Sequence, residues 1–173
     1  MLKRFIPDMY QESIFTINYN SLKKKNIKCL LFDLDNTISP AREKVYCLKT
    51  KKLLDKLKKD FKVILFSNNF YKRIKPFADY YDVDLSCVSL KPFSYKYKHI
   101  LKKYGFKKSE VAAIGDQLLT DISGGNKMKI TTILVNPISS IDEKETFLNR
   151  KIEKLIFKKF EEKNILVKGR YYD

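Results

Sequence analysis

Asp33 and Asp35 stand two apart at the end of the apolar run Cys29-Leu30-Leu31-Phe32. In an extended chain, residues two apart point to one face, so both carboxylates share a side while Leu34 points away. Like charges at the tip of a buried strand repel each other and call for a cation beside them. Mg²⁺ answers that need, because it takes hard oxygen ligands and few carboxylates. A solvated acidic turn is the plain alternative, since Asp and Asn are common turn formers. A calcium loop does not fit: counting from Asp33, the positions that need Gly and Glu hold Ile38 and Lys44.

Other reactive groups recur after apolar runs. Ser67 and Asn68 follow Val63-Ile64-Leu65-Phe66, Lys91 precedes Pro92, and Gly115-Asp116-Gln117 through Asp121 follows Val111-Ala112-Ala113-Ile114. Carboxylates beside a cation, a hydroxyl and a lysine make a site for a phosphate dianion, with Mg²⁺ screening the carboxylates. Asp33 is placed to attack phosphorus and become an aspartyl phosphate. Asp35 can protonate the leaving alkoxide and then activate water. Ser67 and Asn68 are expected to contact phosphoryl oxygens, and Lys91 to neutralise charge as the transition state forms. Asp116 completes the expected metal site with Asp33 and Asp35. Thr37, Gln117 and Asp121 stand behind these groups, Asp121 orienting Lys91 or a metal-bound water.

The intervening residues supply the elements that must hold these groups. Strands are expected over 27–32, 63–66, 85–90, 111–114 and 131–135. The period of apolar residues predicts helices over 48–59 (Leu53, Leu54, Leu57 inward), through Ile74, Phe77 and Ala78, and over 94–104, ended by Gly105. Pro76 should lie in a first turn or bend its helix. A short helix is expected to stop at Gly124-Gly125. A last helix is expected over 142–163, with Phe147, Ile152, Leu155, Ile156 and Phe160 on its apolar side. Ile14, Phe15, Ile17 and Tyr19 should pack outside the sheet. Alternating strands and helices predict an α/β fold, a doubly wound parallel five-stranded sheet with right-handed crossovers. Such sheets bind ligands beyond the carboxyl ends of their strands. Each polar cluster falls at such an end, a coincidence that argues against a merely solvated turn.

A length of 173 residues predicts one domain, 1–173, with the reactive groups in a core of about 27–136. No window of 18 uncharged apolar residues occurs, so no spanning helix is expected. The opening residues lack the apolar core of a secretory signal, so export is not expected. Cys29, Cys47 and Cys87 show no CxxC spacing and read as reduced thiols, and the single His99 argues against zinc and a histidine triad. The net charge is +16, and it is uneven: residues 42–108 hold 19 Lys/Arg against 6 Asp/Glu. That excess is compatible with an anionic membrane surface or nucleic acid, and equally with a proteome that uses Lys on every solvated helix face.

Asp33-Leu34-Asp35-Asn36-Thr37, Ser67 after an apolar strand, Lys91-Pro92, and Gly115-Asp116 with Asp121 resemble the four motifs of the haloacid dehalogenase-like (HAD) phosphohydrolases across residues 27–136. The run from Gly115 to Asp121, Gly124-Gly125-Asn126, Ile133-Leu134-Val135, Asn149-Arg150, and the opening from Pro7-Asp8 to Leu31 are similar to the YqeG subfamily of HAD-IIIA phosphatases. The resemblance implies a Rossmann-like core and an Mg²⁺-dependent phosphatase with Asp33 as nucleophile and Asp35 as acid/base. It also implies metal contacts from Asp33, the backbone carbonyl of Asp35, and Asp116. The chain departs from the pattern at Ser39-Pro40-Ala41-Arg42, which is more polar. HAD enzymes usually choose substrates with an inserted cap, and the intervals here leave no room for one. A capless, open site suits a phosphate on something large. Similar proteins in mitochondria and photosynthetic organisms act on phosphatidylglycerophosphate, which implies a lipid phosphate at a membrane surface; with the reduced thiols and the missing secretory signal, the expected location is cytoplasmic and peripheral to the membrane. Nucleotides, sugar phosphates and nucleic-acid 3′-phosphates are the alternatives. A regulatory protein without turnover fits less well, because every motif residue is present. A receiver domain is disfavoured by Asp35, which promotes hydrolysis of a phosphoaspartate.

Overall fold

The computed structural model describes residues 2–140 and 147–173. Twelve regular elements follow in order: β1 (Met9–Gln11), α1 (Tyr19–Lys24), β2 (Cys29–Phe32), α2 (Leu48–Leu57), β3 (Lys62–Phe66), α3 (Tyr71–Tyr81), β4 (Asp84–Ser86), α4 (Tyr95–Tyr104), β5 (Val111–Gly115), α5 (Ser123–Met128), β6 (Thr131–Val135) and α6 (Phe147–Glu162). All strand pairs are parallel, in the order β1-β6-β5-β2-β3-β4. The chain winds one way from β2 through β3 to β4 and the other way through β5 and β6. The order therefore reverses at β2, where such sheets open a crevice.

Central strands are buried on both faces, which is why they read as continuous apolar runs. Within β2, Leu30 and Phe32 enter one core layer with Leu54, Ile74 and Phe77. Cys29 and Leu31 enter the other, with Ile64, Phe66, Tyr97 and Ile100. The period of two thus sends alternate residues to opposite helical layers. A third cluster joins α6 to the β1–β6 edge through Tyr10, Leu134, Ile156 and Phe160.

The sheet has six strands where five were expected. Met9-Tyr10-Gln11 is too short to show a strand period, but it covers the edge of β6 in register, Met9 opposite Ile133 and Gln11 opposite Val135. An uncovered parallel edge would leave its backbone groups unpaired. Tyr10 is pinned from its other side by backbone hydrogen bonds with Tyr172 of 2.8 and 2.9 Å. Ile14 and Ile17 pack on the sheet as expected, in one core layer with Leu30 and Phe32, and Tyr19 packs against that layer, while Phe15 is exposed.

Three helices also differ from expectation. Pro76 is the sixth residue of α3, so the first-turn placement is not met and the expectation that remains for it is a bend in the helix. α5 does not stop at Gly124-Gly125 but runs through them to Met128. A Cβ on Gly125 would fall 2.4 Å from Thr132 Cγ2, so the glycine serves close packing on β6 and not termination. On α6, Ile156 and Phe160 are buried as expected, but Ile152 and Leu155 are exposed and Glu153 takes the inward place. The expected helical residues 142–146, and the side chain of Phe147, lie outside the described residues. β4 runs over Asp84–Ser86 and so overlaps the expected 85–90 only at 85–86, and Val88 and Leu90 beyond it have left-handed φ of 46° and 53°. Among the described residues, no helix is long and apolar enough to cross a membrane.

Candidate active site

Asp33 extends β2 by one more ladder bond, its N–H donating to the Ile114 carbonyl at 2.9 Å. The chain then turns tightly: the N–H groups of Thr37, Ile38 and Ser39 converge on the Leu34 carbonyl, and Asn36 takes a left-handed φ of 64°. Short polar Asn tolerates that conformation. The turn leaves Asp33 at the floor of a cleft of about 450 Å³ and Asp35 on its wall. Only α2 and β3 separate Asp35 from Ser67, and only α3 and β4 separate Ser67 from Lys91, so no cap is inserted.

The floor is a buried ionic cluster. Lys91 is 6% exposed, and its Nζ donates to Asp33 Oδ1 and Asp121 Oδ1, each at 2.6 Å. Burial alone would pull the Lys91 amine down, but the Asp121 and Asp33 carboxylates outweigh it and hold the amine above its ordinary range. Burial pushes the Asp33 carboxyl well above its usual value. Lys91 opposes that push, and Asp121, Asp116 and Asp35 add to it. Oxygens of Asp33, Asp116 and Asp121 lie within 4.8 Å of one another.

Asp121 reaches this cluster because a wide turn, Leu118–Ile122, follows β5. The N–H groups of Asp121 and Ile122 both donate to the Gln117 carbonyl, at 3.1 and 3.2 Å. Asp121 Oδ2 accepts from the Gln117 N–H at 3.2 Å. A Cβ on Gly115 would fall 2.2 Å from Asp121 Cγ, so only glycine leaves room for this approach. Asp116 is held from two sides. Thr37 Oγ1 donates to Oδ1 at 3.3 Å, and Arg150 of α6 pairs with Oδ2. Arg150 Nη1 also donates to the Asp116 carbonyl at 3.1 Å and to Glu153 Oε2 at 3.0 Å, and Glu153 Oε1 accepts from the Leu119 N–H at 2.9 Å. Burial pushes Asp116 up to about 6 against the pull of Arg150, and pushes Glu153 up to about 7.

Asp35 lies apart from this cluster. Arg73 of α3 grips its Oδ1 through Nε at 3.1 Å and Nη2 at 2.6 Å, and Asn69 Nδ2 donates to Oδ2 at 2.9 Å. Arg73 is itself held by the Pro40 carbonyl at 3.2 Å and by the Glu43 carbonyl. Ser67 is buried at the cleft, its Oγ accepting from the Asn69 N–H at 3.1 Å. Asn68 lines the cleft but spends its amide on the Lys91 backbone, accepting at 2.7 Å and donating at 3.1 Å.

The expected residues therefore gather at one cleft: Asp33, Asp35, Ser67, Asn68, Lys91 and Gln117 line it, Asp116 and Asp121 lie behind its floor within 4.8 Å of the Asp33 carboxylate, and Thr37 stands behind Asp116. Sequence reasoning missed the grip of Arg73 and Asn69 on Asp35, assigned no role to Arg150, and took Glu153 for no part of the site. One signal was available. The chain holds 5 Arg against 31 Lys, and two of those five grip site carboxylates. Where Lys serves every solvated face, an Arg marks a place that needs a planar, two-pronged donor.

Comparison with known proteins agrees with this geometry. A family model described as HAD-hydrolase-like matches residues 89–145, and one described as mitochondrial PGP phosphatase matches residues 2–74. The chain is 34% identical over 158 residues to the probable phosphatase YqeG of Bacillus subtilis, covering 90% of this chain and 92% of that protein. It is 24% identical over 160 residues to phosphatidylglycerophosphate phosphatase 1, chloroplastic/mitochondrial, of Arabidopsis thaliana, covering 87% of this chain and 45% of that protein. A probable YrbI-family phosphatase from Pseudomonas syringae superposes with a TM-score of 0.51 at 13% identity, over 80% of this chain and 90% of that one, a likeness of fold.

Proposed function

This chain belongs to the HAD-like phosphatases of the YqeG type, and on that premise we propose that it hydrolyses a phosphomonoester through an aspartyl phosphate on Asp33, with Mg²⁺ as its metal. The observation that carries the reading is the position of Asp33, on the cleft floor, paired to buried Lys91 and within 4.8 Å of the Asp116 and Asp121 carboxylates.

The donor set fits a hard divalent cation. Asp33 and Asp116, buried together with Asp121, would supply carboxylate oxygens, and the Asp35 carbonyl would add a neutral one. A metal bound there would neutralise charge on the incoming phosphate. The protein's own groups do the rest. Lys91 opposes the upward push of burial on the Asp33 carboxyl and so favours its ionised, nucleophilic form. Attack on phosphorus forms the Asp33–phosphorus bond as the bond to the leaving oxygen breaks. Asp35 then gives that oxygen a proton, and later takes one from the water that frees the phosphate. Arg73 and Asn69 orient Asp35 for both transfers. The Ser67 hydroxyl and Lys91 meet the non-bridging oxygens, where charge grows in the transition state.

The absence of an inserted cap supports a large, exposed phosphate carrier, and the family model and the Arabidopsis relative point to a lipid phosphate such as phosphatidylglycerophosphate, met at the cytoplasmic face of a membrane. The test is Mg²⁺-dependent release of phosphate from p-nitrophenyl phosphate, then from phosphatidylglycerophosphate in mixed micelles beside nucleotides, sugar phosphates and a 3′-phosphorylated oligonucleotide. Turnover of the lipid above the others is expected. A preference for any soluble phosphate would overturn the lipid assignment, and wild-type turnover after chelation would overturn the metal.

A further inference from the structure

Five large apolar side chains stand exposed beside the cleft, on two loops and on the first residues of the helices that follow them. Phe70 and Tyr71 follow β3, and Leu90, Phe93 and Tyr95 follow β4. Phe70, Phe93 and Tyr95 are 64–74% exposed. The two loops are joined. Asn68 and Lys91 exchange two hydrogen bonds, the Val88 N–H donates to the Asn69 carbonyl at 2.9 Å, and the Ser89 N–H donates to the Ser67 carbonyl at 3.0 Å. Asn68, Asn69, Lys91 and Pro92 of the same loops line the cleft, so the apolar tips border its mouth. Single exposed apolar residues are ordinary, but a contiguous group at a site entrance marks a surface that meets something apolar.

Two further observations select the partner. The backbone of the second loop is strained: Val88 and Leu90 take left-handed φ of 46° and 53°, which branched side chains adopt only at a cost. Strain of this kind persists where function requires it, and here it accompanies an exposed Leu90 instead of a buried one. The charge beside the tips is of one sign. Residues 67–78 and 87–98 contain six Lys/Arg and no Asp or Glu; Arg73, Lys75 and Lys91 pair with Asp35, Asp79, and Asp33 and Asp121, which leaves Lys72, Lys96 and Lys98 for the rim. Lys127 Nζ lies 5.8 Å from the Phe93 ring centre. Lys72, Lys98 and Lys127 are exposed.

We propose that this rim is a docking surface for an anionic phospholipid bilayer, which rests on the lipid-phosphate reading above and names the residues that bring the cleft to its substrate. Phe70, Leu90 and Phe93 enter the boundary between headgroups and acyl chains. Tyr71 and Tyr95 keep their hydroxyls among the headgroups. The lysines face anionic lipid, each contributing through a field that falls off within a Debye length. The anchor is carried on two loops and the first residues of α3 and α4, not on the face of an amphipathic helix, so no helical apolar stripe announces it in the sequence. Single-stranded nucleic acid would stack on the aromatic tips but leave the exposed Leu90 without an apolar partner, whereas a bilayer accepts all five side chains.

The full chain is sedimented with vesicles of phosphatidylglycerol and phosphatidylcholine, with phosphatidylcholine vesicles alone, and separately titrated with a single-stranded oligonucleotide. The double variant Phe70→Ser/Phe93→Ser is compared with the parent, and p-nitrophenyl phosphate turnover is followed in both. Parent binding to the anionic vesicles is expected to drop by about tenfold or more in the double variant, since two buried aromatic side chains are withdrawn, with soluble turnover unchanged. Lys72→Gln/Lys98→Gln should reduce binding to anionic vesicles and leave the weak binding to neutral ones unaltered. Unchanged vesicle binding in the double variant would overturn the proposal, as would oligonucleotide binding that depends on Phe70 and Phe93 without any vesicle binding. Rim-dependent vesicle binding by a parent chain that turns over no phosphomonoester would uphold the docking surface and count against the phosphatase reading alone.

Discussion

Asp33 and Asp35 are two residues apart on one strand end, yet they occupy different chemical worlds. Asp33 sits on the cleft floor, paired to a buried lysine and crowded by other carboxylates, with its carboxyl pushed well above its usual value. Asp35 sits on the wall, gripped by Arg73 and Asn69, outside the carboxylate cluster. The same residue type is thereby fitted to two tasks. A carboxylate that must attack needs its charge kept in a dry place by a nearby cation. One that must pass protons needs a fixed orientation and access to the leaving group. When the environments of two carboxylates differ this way, the division of labour can be read from what surrounds each.

The sharpest way to break the comparison is to neutralise each partner in turn. Asp33→Asn should abolish turnover while the melting temperature and circular dichroism stay close to those of the parent, because Lys91 keeps Asp121 as its partner. Asp35→Asn should retain a measurable rate, reduced by about 10²–10⁴-fold, the usual contribution of a positioned acid/base. Equal losses in the two variants would erase the distinction.

The arginines refine it. Arg73→Gln frees Asp35 without touching Asp33. Its loss, about 10–100-fold by analogy with other supporting groups, should depend on the leaving group: large for alkyl phosphates, which need a proton, and small for dinitrophenyl phosphate, which does not. A uniform loss across leaving groups would make Arg73 a purely structural clamp. Arg150→Gln acts on the opposite side, through Asp116, and should weaken Mg²⁺ binding by about 10–100-fold in calorimetry. An unchanged affinity would show that Thr37 alone suffices to hold Asp116.

The smallest effect expected lies on α6. Ile152→Ser, at an exposed position, should shift stability by about 0.5 kcal/mol or less. Phe160→Ala, at a fully buried one, should cost about 3–5 kcal/mol in denaturant unfolding. Equal costs would mean that the outer apolar face of α6 is covered.

These differences follow what the sequence could carry. Continuous apolar runs identified β2, β3, β5 and β6, because strands buried on both faces leave a strong local signal. The residues at their ends were legible for the same reason: Asp33, Ser67 and Asp116 follow directly from where the runs stop, whereas Lys91 lies in the loop beyond β4 and was marked by its place before Pro92. β1 was not legible, since Met9-Tyr10-Gln11 becomes a strand only by covering β6. Arg73, Arg150 and Glu153 were missed because their roles depend on which faces of α3 and α6 turn to the site, and that is settled by tertiary packing. On α6 the apolar period even pointed the wrong way. Ile152 and Leu155 look like core, while the inward place belongs to Glu153, which supports Arg150 and the Leu119 N–H. Polar residues that serve a site break the pattern that would otherwise reveal the face they occupy.

The central claim is that Asp33 carries the phosphoryl group, and one measurement addresses it directly. The Asp35→Asn variant, whose slowed second half-reaction should let the intermediate accumulate, is quenched in acid during turnover of p-nitrophenyl phosphate and reduced with borohydride, and its peptides are weighed. The account predicts homoserine at position 33 and at no other aspartate. Reduction at a different residue, or none while the variant still turns over, would contradict it.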